Sequence, residues 1–258
     1  MSHADVLARV QAADPNVGPL DLGGYDLANI RLERVALCHA NLARADLRNA
    51  RLRQVDLTGA DLRGALLDES HLQMVDLGGA ELRGVQARAC FWKGVNLEDA
   101  GLEGINLHGG RIHSAMARRA RFDGADLARS QLVYGNFADA SLRGSDLLWA
   151  NTTGSHFHGV HLEGARRFFL SRELIVEVLE RGLRDGEQEA HAFIGAVLTD
   201  RDACYPEWKA RVANEPRWME RALEIFAAFP ESGCGQALAS GWQPPPRARR
   251  DRPIRDQG

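Results

Sequence analysis

The sequence predicts a mainly β chain, a four-sided β-helix of about seven coils, followed by a small all-α C-terminal domain. Three observations predict it. A five-residue repeat runs without insertion or deletion from Leu22 to Leu162. One corner of that repeat is glycine at nearly every twentieth residue. At Arg166 the repeat stops and apolar residues at helical spacing begin. The expected organisation is a capping helix over residues 1–19, the β-helix over 20–165, a helical domain over 166–230 and a flexible basic tail over 231–258.

Composition excludes several classes. The chain of 258 residues is 45% hydrophobic, so it can bury a core, yet only 7% aromatic, with a formal net charge of -3. No apolar run approaches the ~20 residues that span a bilayer, and Met1–Val10 lacks the apolar stretch of a signal peptide. Cys38, Cys90, Cys204 and Cys234 lie far apart with no CxxC pair, which fits reduced thiols in the cytoplasm rather than a disulfide framework or a zinc site.

Ser2 to Ala13 reads as a short amphipathic helix, with Val6, Leu7 and Val10 on one side and Pro15 ending it. Its expected role is to cover the first coil, because an open β-helix end presents unpaired backbone groups.

Every fifth residue from Leu22 to Leu162 forms a register of 29 positions, of which 21 are Leu, three Phe and one Ile. The exceptions are Ala87, Trp92, Ala117 and Thr152. A second register, two residues earlier, is filled mostly by Ala and Val, and the residue between the two is Asp or Asn in 13 of 29 pentads. A helix would rotate such a step by about 500°, scattering the leucines over every face. In an extended segment, alternate residues share a face, so the small residue and the Leu point inward and the Asp or Asn outward. The other two positions, mostly Gly, Arg, Asp, Asn and Glu, suit a corner.

The column Gly24, Arg44, Gly64, Gly84, Gly104, Gly124, Gly144, Gly164 has seven glycines of eight. That superperiod of twenty residues is what four pentads per coil give, with one corner favouring positive φ.

Pentads such as Ala45-Asp46-Leu47-Arg48-Asn49 and Ala60-Asp61-Leu62-Arg63-Gly64 resemble the A(D/N)LXX units of pentapeptide-repeat proteins, and the likeness covers about 145 of the 258 residues. The resemblance implies a right-handed quadrilateral β-helix with a Leu or Phe ladder inside. Of the four exceptions, Ala87 precedes Trp92 and Ala117 precedes Phe122 in one coil, which keeps interior volume nearly constant. Trp92 has a second reading, as an outward binding anchor.

Beyond the repeat, Ser171 is placed to cap a helix running to about Leu183, with Leu174, Ile175, Val178 and Leu179 apolar. A second helix follows Gly186, through Phe193, Ile194, Val197 and Leu198. Pro206 and Pro216 suit the first turns of two more, carrying Trp208, then Trp218, Met219, Leu223, Ile225 and Phe226. Pro244 onward, with five arginines, reads as a disordered solvated terminus, with contact to nucleic acid or a membrane surface as the other reading.

No P-loop, GxGxxG, HExxH or GxSxG occurs in the required context, so no enzyme activity and no cofactor are expected. His156, His158 and His161 cluster, but without a carboxylate or cysteine at ligand spacing they read as surface residues. Function is therefore expected on the outer faces. One outward column reads Asp26, Asp46, Leu66, Gln86, Asn106, Asp126, Asp146, and its neighbour contains Asp56 and Asp76. An adjacent face carries Arg31, Arg51 and Arg111, with Arg34 and Arg53 beside it. Val133, Tyr134, Leu148 and Trp149 form an apolar outward patch, read as the docking place of the C-terminal helices or as a partner or dimer surface.

The resemblance implies a bacterial interaction protein. The best-known relatives protect DNA gyrase or topoisomerase IV from quinolones or peptide toxins, presenting an acidic rod of DNA-like width. On that pattern Asp26, Asp46, Asp56, Asp76, Asp126 and Asp146 are the candidate partner surface for a type II topoisomerase. Direct nucleic-acid binding is not expected from the repeat, nor is membrane association, and several relatives dimerise through a short C-terminal element. The chain departs from the pattern in its near-neutral repeat of 16 basic and 18 acidic residues, its lack of an inserted loop and its long helical extension. The alternative is a structural scaffold whose β-helix presents the C-terminal helical domain to another protein.

Overall fold

The computed structural model describes Val6, Ala8 and Val10, residues 19–168, residues 172–182 and residues 216–235. Six three-residue strands stand one above the next: β1 (Arg31–Glu33), β2 (Arg51–Arg53), β3 (His71–Gln73), β4 (Phe91–Lys93), β5 (Arg111–His113) and β6 (Gln131–Val133). They pair in parallel, in chain order, always with the residue twenty positions on, as in Leu32↔Leu52 and Ile112↔Leu132. Isolated bridges at the same offset hold the other three sides, from Asp21↔Asn41 to Asp146↔Arg166. Four pentads therefore close one coil, as the glycine superperiod predicts. The continuous sheet covers five inter-coil steps, fewer than the about seven coils expected; the further levels, such as Asn151 above Gln131, are held by single bridges.

Hydrogen bonding explains why so short a unit is stable. The Leu22 amide donates to the Asn41 carbonyl (2.7 Å), and the Asn41 amide donates back to the Leu20 carbonyl (2.9 Å). That exchange recurs up the stack, so the backbone of one coil is satisfied by the next. On the other three faces the corner closes on itself, as where the Ala45 amide donates to the Leu42 carbonyl (3.0 Å), whereas the corner after each strand is an open bend. The corner residue takes positive φ, and here the expectation of one special corner needs correction. The glycine column is left-handed, but so are Asn29, Arg34 and His39 at the other three corners (φ 64, 54 and 57). The shape of the coil imposes the left-handed residue at all four corners; glycine at one of them relieves its cost without defining it.

The inward registers form one continuous apolar core. Trp92 is fully buried, and its Nε1 donates to Ser70 Oγ (3.1 Å), so the inward reading holds and the outward anchor does not. Phe137 and Phe157 stack with ring centroids 5.0 Å apart, one coil above the other. Gly135 lies in the small register because a Cβ there would meet Phe137 Cε2 at 2.6 Å. Ser130 and Ser145, also in that register, donate to the Leu127 and Leu142 carbonyls at 2.7 Å. These two buried hydroxyls are thus tolerated because each has an acceptor within its own corner, while that of Ser155 donates to the Leu132 carbonyl one coil below.

Val6, Ala8 and Val10 are helical, and Val6 and Val10 are buried in the same core as the coils. At the other end lie α1 (Arg172–Gly182), α2 (Pro216–Ala227) and a 3-10 turn (Pro230–Ser232). Pro216 opens its helix as expected, whereas Ser171, Leu183 and the helices expected around Phe193 and Trp208 lie outside the described residues.

Helix α1 takes the place of a further coil. Gly154 and Gly159 would each donate to a residue nineteen positions on; instead the Gly154 amide donates to Glu173 Oε1 (3.0 Å) and the Gly159 amide to Glu177 Oε1 (2.9 Å). The Val160 carbonyl, which would accept from the amide of residue 181, accepts from the Arg181 guanidinium. Thr152, the irregular inward residue, donates its hydroxyl to Glu173 Oε2 (2.6 Å). Residues 173, 177 and 181 are four apart, so they form one stripe of the helix, facing the open coil. The 3-10 turn adds a further bond, with the Arg167 amide donating to the Glu231 carbonyl (2.8 Å).

Candidate interaction surface

Outward side chains fall on four faces, each named here by one of its residues: Asp21, Asp26, the strands β1–β6, and Asp56. Asp26 bridges to Asp46 and Asp126 to Asp146, but Leu66, Gln86 and Asn106 separate the two pairs. Asp56 and Asp76 bridge to each other two pentads, or half a coil, away. This corrects the sequence reading, which put them on the neighbouring face. The strand face stands between the two groups, so the six aspartates form no single acidic surface.

Each of the six aspartates is engaged locally. Oδ1 of Asp26, Asp46, Asp56, Asp76, Asp126 and Asp146 accepts from the backbone amide two residues on, at 2.9–3.1 Å. The Asp or Asn of the pentad is therefore a turn residue that holds the corner after it. Two are also neutralised. Arg48 lies 2.5 Å from Asp46, and Arg167 pairs with Asp146. The Arg48 hydrogen bond holds the Asp46 carboxyl below the usual carboxylate range, and the Thr58 hydrogen bonds do the same for Asp56. The exposed Cys38 thiol is pushed up, chiefly by its hydrogen bond to Asp56.

The strand face is different. Its first outward row is Arg31, Arg51, His71, Phe91, Arg111 and Gln131, and its second is Glu33, Arg53, Gln73, Lys93, His113 and Val133, all in parallel register. Phe91 lies at its centre, with His71 at 5.9 Å, His113 at 5.8 Å and the Arg111 guanidinium over its ring at 5.7 Å. Sequence reasoning named the arginines and missed this cluster. The available signal was an aromatic at an outward position that polar residues usually fill.

Of the apolar patch, Val133 is buried although it points outward, Leu148 is half-buried, and Tyr134 and Trp149 are 67% and 44% exposed. Tyr134 and Trp149 occupy the two corners that flank the strand face at its C-terminal end. His156, His158 and His161 are all exposed, and no group of three His, Cys, Asp or Glu that could hold a metal occurs among the described residues. No helix among them is long and apolar enough to cross a membrane.

A family model for pentapeptide repeats matches eight copies, within residues 21–54, 45–84, 120–159 and 136–166. No curated protein matches the sequence. Among solved structures, HetL, a pentapeptide repeat protein involved in heterocyst differentiation regulation in the cyanobacterium Nostoc sp. strain PCC 7120, is 23% identical. That match covers 65% of this chain and 95% of HetL, with a TM-score of 0.31. QnrB1, a plasmid-mediated fluoroquinolone resistance protein, is 22% identical over 57% of this chain and 77% of its own, with a TM-score of 0.36. A further pentapeptide repeat protein from Nostoc PCC 7120 is 30% identical over 41% of this chain and 78% of its own, with a TM-score of 0.24. With the repeat matched in both halves of the β-helix and its pentads in unbroken register, the chain belongs to the pentapeptide-repeat family.

Proposed function

We propose that the protein is a non-enzymatic, cytoplasmic interaction scaffold, a rigid rod whose faces and helical end are read by a protein partner. The observation that carries this is the complete use of the interior. Inward side chains fill the coil, and the backbone of each coil pairs with its neighbours, so among the described residues of the β-helix only outward side chains remain to act on anything. The bonding of Glu173, Glu177 and Arg181 to the last coil also fixes α1 rigidly to the rod, as a scaffold presenting its helical end requires. Affinity capture with the full-length chain tests it. A stoichiometric partner that rebinds when both proteins are purified is expected, and a folded chain that retains none would refute the reading.

A second reading is a DNA-mimicking binder or protector of DNA gyrase or topoisomerase IV, and with it a role in antibiotic resistance. The stacked pairs Asp26–Asp46 and Asp126–Asp146 favour it; the arginines on Asp46 and Asp146 weigh against it. It predicts inhibition of gyrase supercoiling, or rescue of gyrase from a quinolone or peptide toxin, and loss of either effect in Asp46→Asn/Asp126→Asn. Asn keeps the Oδ1 acceptor that the corner needs and removes only the charge. Wild-type protein with neither effect would exclude this partner and leave the scaffold reading in place.

A further inference from the structure

We propose that the strand face is a docking strip for an acidic segment of a protein partner, with Arg31, Arg51 and Arg111 taking its carboxylates and Tyr134 and Trp149 framing its apolar anchor. The proposal deepens the scaffold reading and rests on it.

Charge on the other faces is largely cancelled in place. Arg48 pairs with Asp46, Arg63 with Asp61, Arg88 with Asp68, Arg121 with Glu103 and Arg143 with Glu163. On β1–β6, Arg31, Arg51, Arg53, Lys93 and Arg111 face one carboxylate, Glu33, which Arg53 approaches at 3.3 Å. Among the described residues, Arg31, Arg51, Lys93 and Arg111 make no ion pair. The strip is thus an uncancelled cationic row on a protein whose net charge is -3. Such a row attracts an anionic partner and rejects a cationic one.

The row is also held ready. Its positions are fixed by the parallel ladder, about 4.8 Å per coil, and Phe91 seats Arg111 before anything binds. A preset guanidinium loses less freedom on binding a carboxylate and can accept it in a two-pronged geometry. Arginine with exposed Tyr and Trp is also the composition that supplies most of the binding energy at protein interfaces.

Width argues for a polypeptide. The two outward rows lie about 7 Å apart, and the flanking surfaces carry Glu69 on one side and Asp56 and Asp76 on the other. A DNA duplex laid along the strip would hold phosphates over those carboxylates. A single strand of nucleic acid would look for stacking within the cationic row, where the Phe91 face already carries Arg111.

The test uses full-length protein panned against phage-displayed random peptides about twelve residues long, twice what spans the ~19 Å row from Arg31 to Arg111 in extended form. Expected are peptides rich in Asp and Glu with an aromatic or aliphatic residue, whose binding weakens strongly with salt. R31E/R51E/R111E should weaken them at least about tenfold, while R63E on the Asp21 face leaves them unchanged, both variants keeping the wild-type circular dichroism. Selected peptides without acidic enrichment, or none at all, would overturn the proposal. So would equal binding by the triple variant, which would clear the strand face while the scaffold reading stood on its own captured partner. Tighter binding of oligothymidylate than of the selected peptides would overturn it in favour of nucleic acid.

Discussion

If α1 replaces a coil, removing one of its acceptors should unzip the end of the rod and little else. The sharpest perturbation is Glu177→Ala. The Glu177 side chain is only 9% exposed, and its Oε1 accepts from the Gly159 amide at 2.9 Å and from Arg181 Nε at 2.8 Å. A hydrogen bond to a charged group contributes about 1.5–3 kcal/mol, and a buried amide left without an acceptor costs about 1–3 kcal/mol. The two overlap, so the loss should be about 2–4 kcal/mol. It should be local, because each coil of a solenoid contacts only its neighbours. Hydrogen exchange resolves this amide by amide. At 1.4 kcal/mol per factor of ten, the Gly159 and Gly154 amides should exchange at least about 25-fold faster, while amides around β1 and β2 keep their wild-type rates. Glu177→Gln retains an oxygen acceptor and should lose about half as much. Unchanged Gly159 protection in the Ala variant would refute the cap, and equal loosening at β1 would refute its local character.

Other outcomes follow from the core and the charges. Leu107→Lys, which sets an unpaired charge among fully buried side chains, should cost more than about 4 kcal/mol in urea unfolding, and a wild-type midpoint would overturn the inward register. Peptide-mapped alkylation at about pH 8 should modify exposed Cys38 while sparing Cys90 and Cys234, whose thiols burial pushes up to about 12; labelling of Cys90 at the rate of Cys38 would contradict the closed interior. The Arg48 and Arg63 hydrogen bonds hold the Asp46 and Asp61 carboxyls below the usual carboxylate range. Their contribution is therefore present above the unfolded value of about 3.9 and fades as pH falls through the lower folded values. Asp46→Asn should flatten the acid side of the stability profile, and an identical profile in the variant would count against the pairing.

Pattern alone reached the inward architecture because burial constrains it twice, by size and by alternation. Leu22 to Leu162 cannot shift by one residue without turning the ladder outward, so the register was readable from the sequence and held even at Trp92. The outward faces carry no such constraint. The half-coil separation of Asp56 from Asp26 follows from counting pentads at four per coil, yet a one-letter column does not display which columns are opposite. The cap was illegible for a different reason. Glu173, Glu177 and Arg181 read as the polar stripe of an amphipathic helix, and only the position of α1 over Gly154 and Gly159 makes them surrogates for backbone. Phe91 is a single aromatic in a polar column, and its partners His71, Arg111 and His113 come together only across coils.

The aspartates bear on how any protein of this repeat should be read. Their Oδ1 atoms hold the corners, as Asp21 does for the Gly23 amide and Asn41 for the Ala43 amide, with Asn41 Nδ2 also donating to Asp21 at 2.8 Å. Asn serves that purpose as well as Asp, so the carboxylates arise first from the geometry of the turn. A negative column along such a rod is then weak support for a DNA-like surface, since the fold alone asks for those residue types. What the turn does not ask for is Arg31, Arg51, Phe91 and Arg111 at the same outward position. At these sites the corner forms without an Asx acceptor, so the side chains are free of the structural duty their neighbours carry. Selection on a partner can act there at little cost to the coil, which is why the strand face, more than the acidic columns, is where recognition should be sought.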